Sequence, residues 1–233
     1  MIITIDGSAG SGKSTVARKL AARLGIAYLD TGAMYRAIAW VGLQQGIDFE
    51  DSAALLEIAR RITLEVDCGP THTRIRADGQ DVSEAVRSLA VSEVTPYVAR
   101  HAGIRALLVE RQRALGRRLG SLVAEGRDQG SVVFTDADVK FVLDADPKVR
   151  AQRRLADLTA DGESVKIAEV MENLIRRDQD DCVQWAPLLK SGEAIVLDTS
   201  HMELAEVVDR LVELVSDRVR APAGLRPDAD GNA

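Results

Sequence analysis

Only two cysteines occur in the 233 residues, Cys68 and Cys182, far apart and in no metal-ligand spacing. They build no disulfide framework and no zinc site, and free thiols in a reducing compartment are expected. No apolar run approaches the ~18 residues that a membrane-spanning helix needs. The chain opens into an apolar strand pattern with Asp6 close behind, so no secretory leader is expected. Excess positive charge is missing too: the formal net charge is −6, which offers nucleic acid no general attraction. Lysine is scarce, at six of the thirty basic residues. The others are arginines, whose planar guanidinium suits bidentate phosphate contacts. The chain has no Asn/Thr-Lys-x-Asp guanine-reading motif and no internal repeat. A cytoplasmic protein is expected, with neither nucleic acid nor membrane as partner; a monomer acting on small molecules is the expected state.

What is present begins at the amino end. Gly7, Ser8, Ala9, Gly10, Ser11, Gly12, Lys13 and Ser14 fit G-x-x-x-x-G-K-S/T, with Thr15 following. Ile2–Ile5 reads as a buried strand and Ser14–Leu24 as a helix, the context a P-loop requires. Glycines let backbone N–H groups fold inward around a phosphate chain, and the helix N-terminus adds partial positive charge. Lys13 can reach the β- and γ-phosphates, and the Ser14 hydroxyl can sit on Mg²⁺. The chain therefore reads as a binder of a nucleoside triphosphate.

Apolar strands and amphipathic helices alternate over most of the length. Strands are predicted at 2–5, 27–29, 121–124, 139–143 and 194–197, with helices at 14–24, 34–45, 53–61, 102–118, 148–158, 168–180 and 202–218. This predicts an α/β fold, a P-loop three-layer sandwich with helices on both faces of a parallel sheet. Asp6, Asp30, Asp144 and Asp198 fall at strand ends, where such sheets bind ligands. Between Thr63 and Val82 the pattern changes to short strands, with Asp78-Gly79 as a hairpin turn. A small antiparallel insert is expected there, a mobile loop at 160–165, and a disordered tail from 221 to 233.

Three further clusters carry candidate chemistry. In Asp30-Thr31-Gly32-Ala33-Met34-Tyr35-Arg36, Thr31 is a plausible N-cap and Arg36 lies about one turn into the helix. Gly126-Arg127-Asp128-Gln129-Gly130 follows a strand, placing a charged pair at a strand terminus on flexible backbone. Arg150, Arg153 and Arg154 precede the 160–165 loop, with Arg176 and Arg177 after it. Arginines flanking a mobile loop are what a lid over a transferring phosphoryl group needs. Any one of these could be an ordinary capped helix, a salt-bridged turn or a solvated face.

In order along the chain, these segments resemble the bacterial cytidylate kinase family of nucleoside monophosphate kinases. The match runs through I-T-I-D-G-S-A-G-S-G-K-S-T, D-T-G-A-M-Y-R, Gly79-Gln80-Asp81-Val82-Ser83 with Arg87, Arg105, Arg111-Gln112-Arg113, G-R-D-Q-G-S-V-V-F, and R-R-D-Q-D-D with Ala186-Pro187-Leu188. It covers residues 1 to about 218. The resemblance implies transfer of the γ-phosphoryl of ATP to CMP or dCMP with Mg²⁺. It implies Arg36 and Arg127 on the acceptor phosphate, Thr31 near the base, Arg105 and Asp128 on the cytosine edge, and Arg176 and Asp180 on the ribose. Lys13, Arg127, Arg153, Arg154 and Arg176 are the candidate catalytic cations. A monophosphate-binding lobe is expected over about 32–104 and a lid over about 158–166. The chain departs from the family pattern in carrying Pro96 where a hydroxyl is usual, and no arginine in Cys182-Val183-Gln184-Trp185. Acceptors such as UMP, AMP or shikimate, and a nucleotide-dependent switch without transfer, are the alternatives.

Overall fold

The computed structural model describes residues 1–160 and 165–220, without the side chains of 157, 158, 160, 176, 177, 179–186 and 220. The expected tail, and most of the expected lid loop, lie outside the described residues.

Five strands form one parallel sheet: β1 (Ile2–Gly7), β2 (Ala27–Asp30), β6 (Leu122–Glu125), β7 (Val139–Asp144) and β8 (Ile195–Asp198), in the order β2-β6-β1-β7-β8. Side chains alternate across the sheet because strands have a period of two. On β1, Ile3 and Ile5 face the helices α1 (Lys13–Leu24) and α8 (Leu204–Arg220). They pack there with Val16, Leu20, Phe141 and Leu211. Thr4 and Asp6 point to the other side, where Thr4 lies against Gly130 and the Gln129 and Gly130 amides donate to Asp6. On β6, Leu122 and Ala124 join a second core with α2 (Thr31–Gln45) and α5 (Ala102–Leu119), built around Ile38, Ile104 and Leu108. Burying each such side chain contributes about 1.5–3 kcal/mol. Helices cover both faces, as the alternating pattern predicts.

The insert is a three-stranded antiparallel sheet, β3 (Leu64–Cys68), β4 (Thr73–Ala77) and β5 (Gln80–Asp81). The β4–β5 turn uses Asp78 and Gly79 at φ 50° and 83°, the left-handed backbone that Asp-Gly supplies cheaply. Thr73 ties the insert to the main sheet. Its hydroxyl donates to the Tyr28 carbonyl at 2.7 Å and accepts from the Asp30 amide at 3.0 Å.

The remaining helices are α3 (Ser52–Arg61), α4 (Leu89–Arg100), α6 (Pro147–Ala160) and α7 (Ile167–Ser191). α4 has no counterpart in the sequence reading. It carries Pro96 in its interior, where proline removes an i→i−4 bond. Tertiary burial of Val91 and Val98 outweighs that loss. α7 extends eleven residues beyond the predicted end at 180, continuing through Pro187.

Candidate active site

The segments expected to hold donor and acceptor meet at the carboxyl ends of β1, β2 and β6. On the donor side, residues 8–12 leave β1 and enter α1. A Cβ on Gly7 would sit 2.0 Å from the Leu143 carbonyl oxygen, and one on Gly10 would sit 3.0 Å from that of Arg150. Both glycines have positive φ, 138° and 75°. The loop is held from below. Ser8 Oγ donates to Asp144 Oδ1 at 2.7 Å, and Ser11 Oγ to the Ser8 carbonyl at 3.0 Å. The Lys13 ammonium, buried at the helix start, donates to the Ser8 carbonyl at 2.6 Å.

Arg150 braces the same loop. It is buried, donates to the Ala9 and Ala145 carbonyls, and grips Asp178 of α7 through both terminal nitrogens at 2.9 and 2.6 Å. The predicted arginine cluster thus divides its work. Arg150 holds the loop, and Arg153 donates to the hydroxyl and carbonyl of Thr199. Arg154 is half-buried with no ion pair among the described residues. The side chains of Arg176 and Asp180 lie outside the described residues.

The acceptor side begins with a correction. Asp30, not Thr31, caps α2: its carboxylate accepts from the Ala33 amide at 3.0 Å. Thr31 is already helical, and its buried hydroxyl donates to the Glu125 carbonyl at 2.7 Å. The cap carboxylate also holds two arginines, Arg36 at 2.7 Å and Arg87 at 3.8 Å. Burial alone would lower the Arg36 pKa; Asp30 and Glu125 outweigh it and raise it. Arg127 donates to the Gly126 carbonyl at 3.3 Å. Arg105 of α5 forms an ion pair with the buried Asp128. A wide π-helical turn at 129–133 follows Asp128 and aims it at α5.

Glu125, the last residue of β6, was not singled out from the sequence. The signal was available, an acid ending a strand directly before Gly-Arg-Asp. Its buried carboxylate accepts from Ser14 Oγ at 2.7 Å and from the Tyr28 hydroxyl at 3.3 Å. Burial pushes its pKa up, and Asp30 adds to this. Lys13, the Ser14 bond and Arg36 oppose it. Its carbonyl holds Thr31, so one residue touches both halves of the site.

The donor set next to the P-loop fits a hard divalent cation: one hydroxyl and one carboxylate already side by side. No cluster of three or more potential ligands exists among the described residues. Mg²⁺ commonly takes one or two protein oxygens and completes its shell with phosphate and water, which this pair allows. A cleft of about 670 Å³ opens beside Ser14 and runs to Tyr28, Thr73, Arg74 and Arg87, within the usual range for a small-molecule site. It lies on the Asp30 side rather than against Arg105 and Asp128.

Asp6 sits beneath both halves. Its two oxygens accept from the Gln129 and Gly130 amides at 2.9 and 2.8 Å. Burial raises its pKa to about 6, against those two bonds and Lys13 and with help from Asp128. A raised carboxylate pKa means the neutral form is favoured by the fold. That contribution is complete below about pH 4 and is lost as pH rises through about 6. Acidification from pH 7 to 5 therefore costs no stability through Asp6. It does put a proton on an oxygen that must accept an amide, which loosens the segment carrying Arg127 and Asp128. Turnover should fall about tenfold over that interval with an apparent pKa near 6, while the melting temperature shows no loss traceable to this group. A pH–rate profile of Asp6→Asn should lack that limb; an identical limb would assign it to another group.

A Gly-rich loop leaving the central strand β1, beside a cleft lined by Arg18, Arg74 and Arg87, fits the P-loop kinase class. The family model described as cytidylate kinase matches residues 3–217. A cytidylate kinase from Geobacillus sp. (strain WCH70) is 40% identical over 93% of this chain and 97% of its own. A bifunctional pantoate ligase/cytidylate kinase from Synechococcus sp. (strain JA-3-3Ab) is 46% identical over 91% of this chain. The chain spans only 40% of that longer relative. A crystal structure of an uncharacterized protein from Eubacterium ventriosum shares the fold, with TM-score 0.51 at 14% identity over 93% of this chain and 98% of its own. The chain belongs to the cytidylate kinase family.

Proposed function

We propose that the chain transfers the γ-phosphoryl group of ATP to the 5′-phosphate of CMP or dCMP, giving ADP and CDP or dCDP. The observation that carries this is Glu125, which bonds Ser14 of the donor loop through its carboxylate and Thr31 of the acceptor helix through its carbonyl. A residue bonded to both segments would keep donor and acceptor side by side, as in-line transfer between them requires. Family membership supplies the acceptor class.

Residues 7–15 cradle the triphosphate, with Lys13 on its outer phosphates. Ser14 and Glu125 would hold Mg²⁺, which when bound offsets charge on the bridging phosphate oxygens. Arg36 and Arg127 hold the acceptor phosphate, and Asp30 keeps Arg36 aimed by accepting its guanidinium. Arg105 and Asp128 read the base, with Thr31 nearby. Arg176 and Asp180 take the ribose, and Arg153, Arg154 and Arg176 close over the transferring group. No general base is needed, because positioning and charge stabilisation carry such transfers. Closure of the lobe over 32–104 and of the 158–166 lid excludes water. A cytoplasmic monomer belongs to the same reading; no helix among the described residues is long and apolar enough to cross a membrane.

An acceptor screen at fixed ATP and Mg²⁺, with CMP, dCMP, UMP, AMP and shikimate, tests this. CMP or dCMP should give the highest kcat/KM, by tenfold or more over UMP, on the order of one discriminating hydrogen bond. A preference for shikimate or AMP would overturn the acceptor. ATP binding with transfer to none, and partner binding that follows nucleotide state, would mark a switch.

A further inference from the structure

Two buried glutamines behind the acceptor pocket have no role in the scheme above. Gln112 is completely buried in α5, on the same face as Leu108 and Leu115, and Gln129 is 1% exposed in the π-helical turn. Burying an amide on an apolar helix face is unfavourable unless it is bonded. These two are bonded, but only in part. Gln129 Nε2 donates to Asp128 Oδ1 at 3.3 Å and to Gln112 Oε1 at 3.2 Å. Among the described residues, Gln129 Oε1 has no hydrogen-bond partner, and Gln112 Nε2 and the Tyr35 hydroxyl make none of good geometry. That hydroxyl lies beside the Gln112 amide, which opposes the rise that burial gives the Tyr35 pKa. Unpaired buried polar atoms are scarce in folded proteins, and each calls for an explanation.

We propose that Gln112 and Gln129 form an amide relay that fixes Asp128 as an acceptor, and so make the pocket select an amino-bearing pyrimidine over a keto-bearing one. This rests on the reading of Asp128 as a base-contacting residue. The Asp128 carboxylate decides the direction of the chain. Facing those oxygens, Gln129 must present its NH₂, and Gln112 must then present its carbonyl. Arg105 meets the other carboxylate oxygen. With a donor on each oxygen, Asp128 has only lone pairs left for a ligand. The exocyclic group at C4 of cytosine is a donor, whereas that of uracil is an acceptor. Gln129 is anchored from a second direction, since its backbone amide donates to Asp6. Four elements, β1, α2, α5 and the π-helical turn, thus converge behind one carboxylate. Gln129 touches no substrate in this scheme and is a positioning residue.

The test compares kcat/KM for CMP and UMP across single variants. Gln129→Leu removes both donated bonds at similar volume. The CMP/UMP ratio should fall about tenfold, through KM for CMP, with KM for ATP unchanged. Gln129→Glu is nearly isosteric and sets a carboxyl against Asp128, and carboxyls so placed share a proton. The shared proton lies between the two carboxyls in place of the amide N–H on Asp128 Oδ1, and loss of that proton sets two like charges together and displaces Asp128, so the CMP/UMP ratio should fall at least as far as in Gln129→Leu. Gln112→Leu should move the ratio in the same direction but less. An unchanged ratio in Gln129→Glu and Gln112→Leu, with native melting temperatures, would reduce the pair to packing. Asp128→Asn separates the layers. If it shifts the ratio and the glutamine variants do not, the relay is wrong. If it leaves the ratio unmoved, the base reading falls, and the relay with it.

Discussion

Lys13→Ala should lower kcat by about 10³-fold, the order expected when a preorganised charge on the transferring group is deleted, while the fold survives. The ammonium is one of few buried cations among the described residues, and it donates to the Ser8 carbonyl of its own loop. The loop does not depend on that bond for its shape. Ser8 is also tied to Asp144 and Ser11, and Arg150 braces Ala9 from α6. Lys13 further offsets the two buried acids, since it lowers the pKa of both Asp6 and Glu125. Its loss should therefore raise both, and the acid limb near pH 6 should move toward neutrality. A coupled ADP-release assay with a thermal melt checks this. Wild-type turnover in a folded variant would take Lys13 out of the mechanism.

Glu125→Gln carries the second large effect, and here activity and stability should move in opposite directions. The amide keeps the volume and can still accept from Ser14, but it removes the negative charge beside the donor loop. Turnover should drop about 10²-fold, with a higher Mg²⁺ concentration needed for half-maximal rate. The fold should be as stable or more stable. The Glu125 pKa is raised, chiefly by burial, so the neutral form is the one the fold prefers. That preference is complete below the ordinary carboxylate range and vanishes as pH rises through the elevated pKa. The gain in melting temperature should accordingly be larger at pH 8 than at pH 5. Unchanged turnover and unchanged Mg²⁺ demand would leave Glu125 as a structural acid only.

Why was so much legible beforehand? The main sheet declares itself because Ile2–Ile5, Val139–Leu143 and their partners are short apolar runs punctuated by glycine and aspartate, and parallel strands covered on both faces must read that way. The insert was visible through Asp78-Gly79, whose backbone demand is local. Helix α4 was hidden because Pro96 argues against helix locally, and only burial of Val91 and Val98 in the tertiary core answers it. The Thr31 cap failed for a related reason. Asp and Thr are both good caps, and the choice fell to a long-range bond from Thr31 to Glu125, 94 residues away. Asp128 stands out by its place between two glycines after a strand, whereas Arg105 was named from the family resemblance alone. Composition alone could not pair them across 23 residues. Glu125 and the two glutamines escaped because a single polar letter beside a strand, or on an apolar helix face, says nothing until its neighbours in space are known.

The Leu143 carbonyl beneath position 7 carries a consequence for how the phosphate loop is maintained. That oxygen belongs to the neighbouring strand, and it occupies the space any side chain would need. Selection for a well-formed sheet alone, blind to catalysis, would keep glycine there. The opening letter of the signature thus records strand geometry as much as nucleotide chemistry. A descendant that had lost its activity would still display it.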